Sequence, residues 1–231
     1  MVEMKCFSPK KEIKIVSYNI HSGLNKDMFP TLFDMIDFLR ISNADIICLQ
    51  EVNESAKAGF QVSSFKEELN MYSHFGANVV DLGFNYGLVT YSKYPIKSEE
   101  HIYLHSERER RGMLHTVVNV EGRKLNIINV HLGLGEKERD IQLSELINFI
   151  NSLENEPYIV VGDFNQGNIE LDDTILKDVA KELDKANILT FATGLDRIDY
   201  IFISPQIEIL DYQVLIKNMS DHYPIIAKIK I

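Results

Sequence analysis

The stretch from Pro157 to Gln166 constrains the fold of this chain more than any other. Tyr158 to Val161 is a β-branched and aromatic run with no polar face, and a glycine follows it. Such a run is typical of a strand buried on both faces. Asp163 and Asn165 come directly afterwards, and in an extended backbone they project to the same side. The stretch therefore predicts a buried strand that ends in a polar pair able to share one ligand.

A second interpretation of this stretch is that positions 162–165 form only a turn. Glycine, aspartate and asparagine dominate turns for conformational reasons. Short motifs of this kind are also common by chance. The other strands decide between the two interpretations, because a shared site requires polar residues at several strand ends.

The first third of the chain shows the same arrangement twice. Ile13 to Tyr18 is an alternating and then apolar run that ends on Asn19, and Ile46 to Gln50 is an apolar run followed by Glu51. Between them, Met28 to Arg40 has apolar residues at the spacing of a helix with one buried face, and it contains a proline that suits a first turn. The segment predicts a βαβ-like unit with polar residues at both strand ends.

The middle of the chain predicts a meander of mostly antiparallel strands between two helices. A hairpin turn at Glu121 and Gly122 joins the last two strands of the meander, and the final one ends on His131. The predicted helices are Phe60 to Leu69 and Glu136 to Leu153, and the further strands are Met71 to Phe75, Gly87 to Tyr91, Ile96 to Leu104, Met113 to Val120, Leu125 to Val130, Arg197 to Ser204, Ile207 to Ile216 and Ile225 to Ile231.

The composition is that of an ordinary globular chain. It has 231 residues, 45% of them hydrophobic, and no Pro, Gly or Ser linker, so we expect one domain over residues 1–231 with a flexible segment at 1–11. No run of about 18 apolar residues is present, so we expect no membrane span. Met1 to Glu12 lacks the apolar core of a secretory signal, and we expect a cytoplasmic location. Cys6 and Cys48 are too few for a disulfide framework, and Cys48 lies in an apolar run typical of a core.

The charge distribution bears on the partner. The formal net charge is −10, and an acidic chain lacks the basic surface that supplies most non-specific affinity for nucleic acid. Carboxylates that hold a cation also contribute to such a balance, so charge alone leaves nucleic acid open. The one basic cluster, Arg108, Arg110 and Arg111 with Glu107 and Glu109 interleaved, predicts a solvated loop. No obligate protein partner is evident.

Six motifs carry polar side chains at predicted strand ends. Ligands in layered α/β folds collect outside strand ends. Each of these residues alone is more often a solvated strand end, a cap or part of a turn, but six together favour a convergent site. The motifs contain Asn19, Glu51, His131, Asp163 with Asn165, Asp199, and Asp221 with His222.

These motifs resemble the ordered motif set of the endonuclease/exonuclease/phosphatase superfamily, which includes deoxyribonuclease I. The resemblance covers nearly the whole chain and implies an α/β (α+β) fold, a four-layer sandwich of two mixed β-sheets packed face to face with helices on the outside. It also implies phosphoester hydrolysis with a divalent metal, Mg²⁺ with Mn²⁺ as a substitute. The matching segments are Ser-Tyr-Asn19-Ile, Leu-Gln-Glu51-Val, Asn-Val-His131-Leu, Gly-Asp163-Phe-Asn165, Arg-Ile-Asp199-Tyr-Ile-Phe and Ser-Asp221-His222-Tyr-Pro.

The resemblance assigns a metal to three oxygen-bearing side chains. A phosphoester is anionic and repels hydroxide, so hydrolysis is helped by a cation on the phosphoryl oxygens. Mg²⁺ prefers hard oxygen ligands, and by the resemblance these are Glu51, Asn19 and Asp221. The chain departs from several family nucleases at His21, where they have an acidic residue, so a second metal there is not implied.

The resemblance also assigns the catalytic side chains. Asp163 and Asn165 would orient or deprotonate the attacking water. His222, held by Asp199, would be the base or a phosphate contact, in an arrangement that fixes the imidazole tautomer. His131 would contact the phosphate or protonate the leaving group. Whether Asp163 or His222 takes the proton stays open.

The leading hypothesis is therefore a Mg²⁺-dependent phosphoesterase that hydrolyses a phosphodiester or phosphomonoester of a small molecule, a lipid headgroup or a nucleic acid. One alternative is a DNA endonuclease or exonuclease of the same superfamily. Another is a non-catalytic binding protein on the same fold, since a fold does not imply a function. Such a protein is expected to have lost site residues, whereas every principal position is filled here.

Overall fold

The computed structural model of the protein describes residues 10–153, 155–169, 171, 175–194 and 196–231. In this part of the chain the helices are α1 (Leu32–Ser42), α2 (Gln61–Leu69), α3 (Glu136–Ser152) and α4 (Val179–Glu182). The strands are β1 (Glu12–Asn19), β2 (Ile46–Ser55), β3 (Gly59–Phe60), β4 (Tyr72–Asp81), β5 (Phe84–Ser92), β6 (Ile96–Tyr103), β7 (Gly112–Val120), β8 (Arg123–His131), β9 (Tyr158–Asp163), β10 (Lys177–Asp178), β11 (Asp199–Ile203), β12 (Glu208–Val214) and β13 (Ile225–Lys230).

The described strands form two mixed sheets. The first has the order β12-β13-β1-β2-β5-β4, with β3 paired to β2, and the second has the order β10-β11-β9-β8-β7-β6. In each sheet one central pair is parallel, β1 with β2 and β8 with β9, and the other pairs are antiparallel. The predicted βαβ unit is confirmed, since α1 connects the parallel strands β1 and β2.

The hydrophobic core has three layers, which together define a four-layer sandwich. The largest cluster lies between the sheets and combines side chains such as Ile15 and Cys48 of the first sheet with Ile127 and Val161 of the second. A second cluster fills the space between the first sheet and the helices α1 and α2, and a third lies between the second sheet and α3. Each fully buried Val or Ile stabilises the fold by about 1.5–3 kcal/mol. The predicted architecture is confirmed, and Cys48 is a core residue.

The first helix begins later than predicted. It starts at Leu32 rather than Met28, and Pro30 lies in a β-bridge with Leu24 instead of the first helical turn. The cause is local, because the Asn25 side chain accepts backbone N–H groups of two residues of the intervening turn. Phe29 precedes Pro30, and the residue before a proline rarely adopts the helical conformation. The helix therefore does not extend back across position 29.

The beginning of the chain is only partly described. Residues 1–9, and with them Cys6, lie outside the described residues. Lys11 exchanges backbone hydrogen bonds with Ile231 at 2.9 and 3.1 Å, and a flexible segment at 1–11 stays a prediction. A single domain over residues 1–231 stays a prediction. Among the described helices, none is both long and apolar enough to cross a membrane.

Gly162 allows the two central strands of the second sheet to approach closely. It lies inside β9 rather than ending it, pairs with Val130 of β8 and has a φ of 145°. A Cβ atom at this position would overlap the carbonyl oxygen of Val130. The close approach matters for the site, because the next residues of the two strands are Asp163 and His131.

We expect Gly162→Ala to lower the free energy of unfolding by about 2–4 kcal/mol, because the new Cβ meets both backbone strain and a steric clash. Urea unfolding followed by circular dichroism measures the loss. Gly122→Ala is the matched control: its φ is also positive, at 91°, but no atom lies within 4 Å of its added Cβ. Equal losses in the two variants would contradict the close approach of β8 and β9.

Candidate active site

Three neighbouring strands of the second sheet present acidic and imidazole side chains at the same end of the sheet. His131 is the last residue of β8 and is paired with Asp163, the last residue of β9. Asp163 is paired in turn with Asp199, the first residue of β11. All three side chains are buried. The register of the sheet thus places three of the sequence-predicted residues side by side.

The first sheet contributes Asn19 and Glu51 at the same end of the sandwich. Asn19 ends β1 and is fully buried. Glu51 lies within β2, which runs on to Ser55, so the predicted strand end at Gln50 is wrong. The pairing of β2 with β5 is interrupted between Leu49 and Val52, and Glu51 has a φ of 60°. β-bulges of this kind re-aim a side chain, and here the bulge places the Glu51 carboxylate beside Asn19.

His222 completes the group from the loop that precedes β13. An isolated β-bridge with Phe191 holds its backbone, and the ring of Phe191 lies 4.9 Å from the imidazole. Nδ1 of His222 lies 2.9 Å from Oδ2 of Asp199. A carboxylate at Nδ1 fixes the tautomer and leaves Nε2 directed at the remaining site residues.

Asp163 is the centre of the resulting network. The side-chain amide of Asn19 donates to Oδ2 of Asp163 at 2.9 Å and to Oε1 of Glu51 at 3.0 Å. The same Oδ2 atom lies 3.5 Å from Nε2 of His131 and 3.6 Å from Nε2 of His222. The structure therefore brings six predicted residues, counting Asp199, into one connected set.

Asn165 and Asp221 lie at the edge of this set. After Asp163 the chain turns, because Asn165 has a φ of 51° and its backbone N–H donates to Oδ1 of Asp163 at 2.9 Å. The expectation that the two side chains project together from an extended strand is wrong, because β9 ends at Asp163 and the chain bends only after it. The Asn165 amide donates instead to the carbonyl of Leu132. The Asp221 carboxylate lies 3.7 Å from Nδ1 of His21, and Asp221 belongs to neither of the metal-binding groups described below.

Burial and neighbouring charges shift the pKa values of three site residues in different directions. Burial raises the pKa of Asp163 above its usual range, although His222 acts against the shift. Burial lowers the pKa of His222, but the carboxylates of Asp199 and Asp163 outweigh it and raise the pKa well above its ordinary value. For His131, burial and then the positive charge of Arg111 hold the pKa well below its ordinary value. The pKa values of the two imidazoles of the site are thus shifted in opposite directions, upward at His222 and downward at His131.

Arg111 is a site residue that sequence reasoning missed. Its basic cluster was expected to be a solvated loop, and Arg108 and Arg110 are indeed exposed, but Arg111 is buried. Its Nη1 atom lies 3.0 Å from Nδ1 and 3.1 Å from Nε2 of His131, and 2.9 Å from a carboxylate oxygen of Glu109. The available signal was its position directly before the apolar strand β7, whose first residue pairs with His131.

A buried amide pair below the site was missed as well. Nε2 of Gln50 donates to Oδ1 of Asn129 at 2.8 Å, and the Asn129 amide donates to the carbonyls of Leu49 and Val89 at 3.1 Å. These bonds join β8 of the second sheet to β2 and β5 of the first. They fix the separation of the two sheets close to Glu51 and His131. The signal was a polar residue within each of two apolar strands.

We expect Arg111→Gln to lower kcat/KM for phosphoester hydrolysis about 10- to 100-fold, a typical loss for a residue that orients a site side chain. Loss of the guanidinium should also raise the pKa of His131, because the positive charge of Arg111 lowers that pKa. Proton NMR titration of the His131 ring measures the shift. Arg110→Gln is the control, since that guanidinium lies over the exposed ring of Tyr103. Equal kinetics in the two variants would show that Arg111 does not act on the site.

Two groups of side chains are close enough to hold a metal ion. One is Glu51, His131 and Asp163, the other is Asp163, Asp199 and His222, and within each group the potential ligand atoms lie within 4.8 Å of one another. In the second group Asp199 already accepts from His222. Both groups have two carboxylates of the kind that hard cations prefer, but in the first group neither is paired with an imidazole at hydrogen-bond distance, and Glu51 is only half-buried and so accessible. A divalent ion therefore fits the first group better.

Comparison with known proteins agrees with this picture. The sequence profile of the Endonuclease/Exonuclease/phosphatase family matches residues 16–222. YbhP of Escherichia coli strain K12, described as uncharacterized, is 34% identical in an alignment 170 residues long that covers 66% of this chain and 66% of YbhP. An endonuclease/exonuclease/phosphatase from Beutenbergia cavernae DSM 12333 has a TM-score of 0.85 at 20% identity over 96% of this chain and 72% of its own. A mannosyl-6-phosphatase from Bacteroides thetaiotaomicron VPI-5482 has a TM-score of 0.75 at 19% identity over 94% and 99%.

The solved structures, at about 20% identity, establish the fold alone. The family is established by the profile match, which spans most of the chain and confirms the resemblance found in the motifs. Its members are mostly hydrolases that act on phosphoester bonds. From its matching motifs and its four-layer fold, this chain belongs to the endonuclease/exonuclease/phosphatase family.

Proposed function

We propose that this protein hydrolyses a phosphoester by metal-assisted attack of water, with Mg²⁺ as the ion and Mn²⁺ as a substitute. The observation that carries the proposal is the position of Asp163, which belongs to both groups of potential metal ligands. One carboxylate thus lies between an acidic group suited to a cation and an imidazole suited to a phosphoryl oxygen. A carboxylate with a purely structural role would not have to belong to both groups.

Glu51 is the proposed metal anchor. A bound divalent ion would withdraw charge from the phosphoryl oxygens and lower the pKa of a coordinated water. Asn19 supports the site as a positioning residue, because its amide donates to Glu51 and its Oδ1 accepts the backbone N–H of His21 at 3.0 Å. Direct ligation by Asn19 requires rotation of its carboxamide. Asp221, whose carboxylate lies 3.7 Å from Nδ1 of His21, stays a proposed ligand.

Asp163 is the proposed general base. Its raised pKa brings the carboxylate closer to the working range of a base, and hydrogen bonds from Asn19 and from the Asn165 backbone fix both of its oxygens. His222 is the less suitable base, because its raised pKa keeps it protonated. The imidazolium, held by Asp199, is suited to binding a phosphoryl oxygen.

His131 is the proposed second contact of the phosphate. A neutral ring beside the Arg111 guanidinium has little tendency to carry a proton to a leaving group. It offers instead a hydrogen bond from a fixed position at the end of β8. With His222, it gives the phosphate two imidazole contacts, and Arg111 holds the His131 ring in place.

A nuclease is the second candidate, favoured by the same family membership. Duplex DNA binding requires several Lys or Arg contacts to phosphates, each of which adds to the salt dependence of affinity. The net charge of the chain is −10, and Glu107 and Glu109 flank the basic residues near the site. Turnover of small or headgroup phosphoesters is therefore expected to exceed nicking of duplex DNA.

The decisive experiment is a panel of phosphoesters assayed with Mg²⁺, with Mn²⁺ and with excess chelator. The panel contains bis-p-nitrophenyl phosphate, p-nitrophenyl phosphate, phospholipid micelles, supercoiled plasmid and an abasic oligonucleotide, each at two salt concentrations. Hydrolysis that a chelator abolishes supports the proposal. Efficient plasmid or abasic-site cleavage with a steep salt dependence would favour the nuclease over the proposed phosphoesterase. If none of these substrates is hydrolysed with either metal, the non-catalytic binding protein is the better explanation.

A further inference from the structure

A cavity of about 320 Å³ opens directly beside Glu51 and has no part in the proposed chemistry. Its walls are mainly apolar, and this volume lies at the lower end of the range for small-molecule pockets. The apolar lining residues are Leu24, Met28, Val79, Phe84 and Tyr86. We call this the apolar pocket.

Regular structure and a tight turn hold the walls of the apolar pocket. Phe84 and Tyr86 lie two residues apart on β5, and their rings stack with centroids 6.1 Å apart and an interplanar angle of 13°. Val79 of β4 is paired with Tyr86. The opposite wall comes from the turn of residues 24–30, which Asn25 and the bridge between Leu24 and Pro30 hold closed. The pocket is therefore preformed, which reduces the ordering cost of binding.

The charges at the apolar pocket select against a second anionic group. Among the described residues that line it, the fixed charges are the carboxylates of Glu51 and Glu109. Glu109 is already paired with Arg111, and Glu51 is the proposed metal anchor. Apart from the proposed metal ion, which the reacting phosphoryl group itself would contact, no Lys or Arg side chain is among the described lining residues, so a neighbouring nucleotide of a polyanionic strand finds no basic side chain there.

The pocket also adjoins the reacting centre. Glu51 and Tyr86 both line the apolar pocket, so the proposed metal anchor forms part of its wall. A phosphoester bound beside Glu51 consequently places one of its substituents at the mouth of the apolar pocket. Met28 is 61% exposed at that mouth, a costly position for an apolar side chain that no other part of the described chain covers.

We propose that the apolar pocket is a specificity subsite, which binds an uncharged apolar substituent of the substrate phosphoester, an aryl ring or a short alkyl chain. The proposal deepens the proposed function and rests on it for turnover. Binding itself can be measured without turnover. Each CH₂ group buried in the pocket raises affinity about fourfold.

The test compares the affinities of methylphosphonate and hexylphosphonate by isothermal titration calorimetry in the presence of Mg²⁺. These ligands share the phosphoryl group, resist hydrolysis and differ only in the chain. For the unmodified protein we expect hexylphosphonate to bind about 10- to 50-fold more tightly, which corresponds to full burial of about two to three of its additional CH₂ groups. In Phe84→Ala and in Met28→Ser we expect the two phosphonates to bind with affinities that differ by no more than about threefold. The Met28 side chain is 61% exposed, so its replacement should leave the fold intact.

Tyr72→Ala is the matched control, because Tyr72 is an exposed aromatic residue at the far end of β4 from the pocket, and the ratio should persist in it. Equal affinities for the two phosphonates in the unmodified protein, or the same ratio in all four proteins, would refute the subsite. The phosphoester panel is judged separately. If affinity depends on chain length but no metal-dependent hydrolysis is found, the subsite is kept and the hydrolase is rejected. If hydrolysis is found but affinity does not depend on chain length, the hydrolase is kept and the subsite is rejected.

Discussion

Glu51→Ala is expected to lower kcat/KM for phosphoester hydrolysis by about 10³-fold or more. The group of Glu51, His131 and Asp163 has one accessible carboxylate, and a metal ion contributes several kcal/mol of charge stabilisation in the transition state. At 1.36 kcal/mol for each factor of ten, the loss of about 4 kcal/mol corresponds to three orders of magnitude. The fold should persist, because the side chain is half-buried in a bulge and is absent from the core.

Three measurements check this prediction. Steady-state kinetics give kcat/KM, Mn²⁺ titration by calorimetry gives metal affinity, and thermal unfolding shows whether the variant is folded. Glu99→Ala on β6 is the matched control, since this glutamate is exposed and outside both groups of potential metal ligands. Full activity of Glu51→Ala, or of the unmodified protein in excess EDTA, would end the metal proposal.

Asp199→Asn is expected to lower kcat about 10²- to 10³-fold while changing substrate affinity little, because a neutral amide cannot stabilise the positive charge of the His222 imidazolium or orient its ring as a carboxylate does. The sign of the pH effect follows from the raised pKa of His222. The imidazolium persists up to that pKa, and activity is lost as pH rises through it. Without the Asp199 charge, burial lowers the pKa, so the alkaline limb of the pH-rate profile moves to lower pH.

The profile of kcat against pH between pH 5 and about 10.5 tests this expectation, because the raised pKa of His222 lies in this range. Asp34→Asn serves as control, since Asp34 is exposed on α1. An unchanged rate and an unchanged alkaline limb would show that His222 is structural. A shift of the acid limb instead would identify His222, rather than Asp163, as the base.

Local patterns in the sequence predicted most of the fold. Runs of β-branched residues mark strands such as β1, β2 and β9 because burial on both faces leaves no place for polar side chains. Helix periodicity predicted α2 and α3 within one or two residues. The wrong start predicted for α1 also has a local cause, but its signal in the sequence is weak. Asn25 and Pro30 define a turn that the spacing of apolar residues does not reveal.

The basic cluster shows the limit of such patterns. Arg108, Arg110 and Arg111 are indistinguishable by residue type, and two of them are solvated as expected. Arg111 differs because the pairing of β7 with β8 brings it to His131, 20 positions further along the chain. Contacts between distant positions depend on strand register, which residue type does not encode.

The sequence alone determined which residues are polar at the ends of buried strands, and through their order it determined the family. It did not determine that Asp163 lies between two imidazoles whose pKa values are shifted in opposite directions, that a bulge re-aims Glu51, or that an apolar pocket adjoins Glu51. These features depend on the separation of two sheets joined by Gln50 and Asn129 and on the burial that the sandwich imposes. The shifts in pKa arise from burial and from distances of a few ångströms, so only the tertiary structure could decide them.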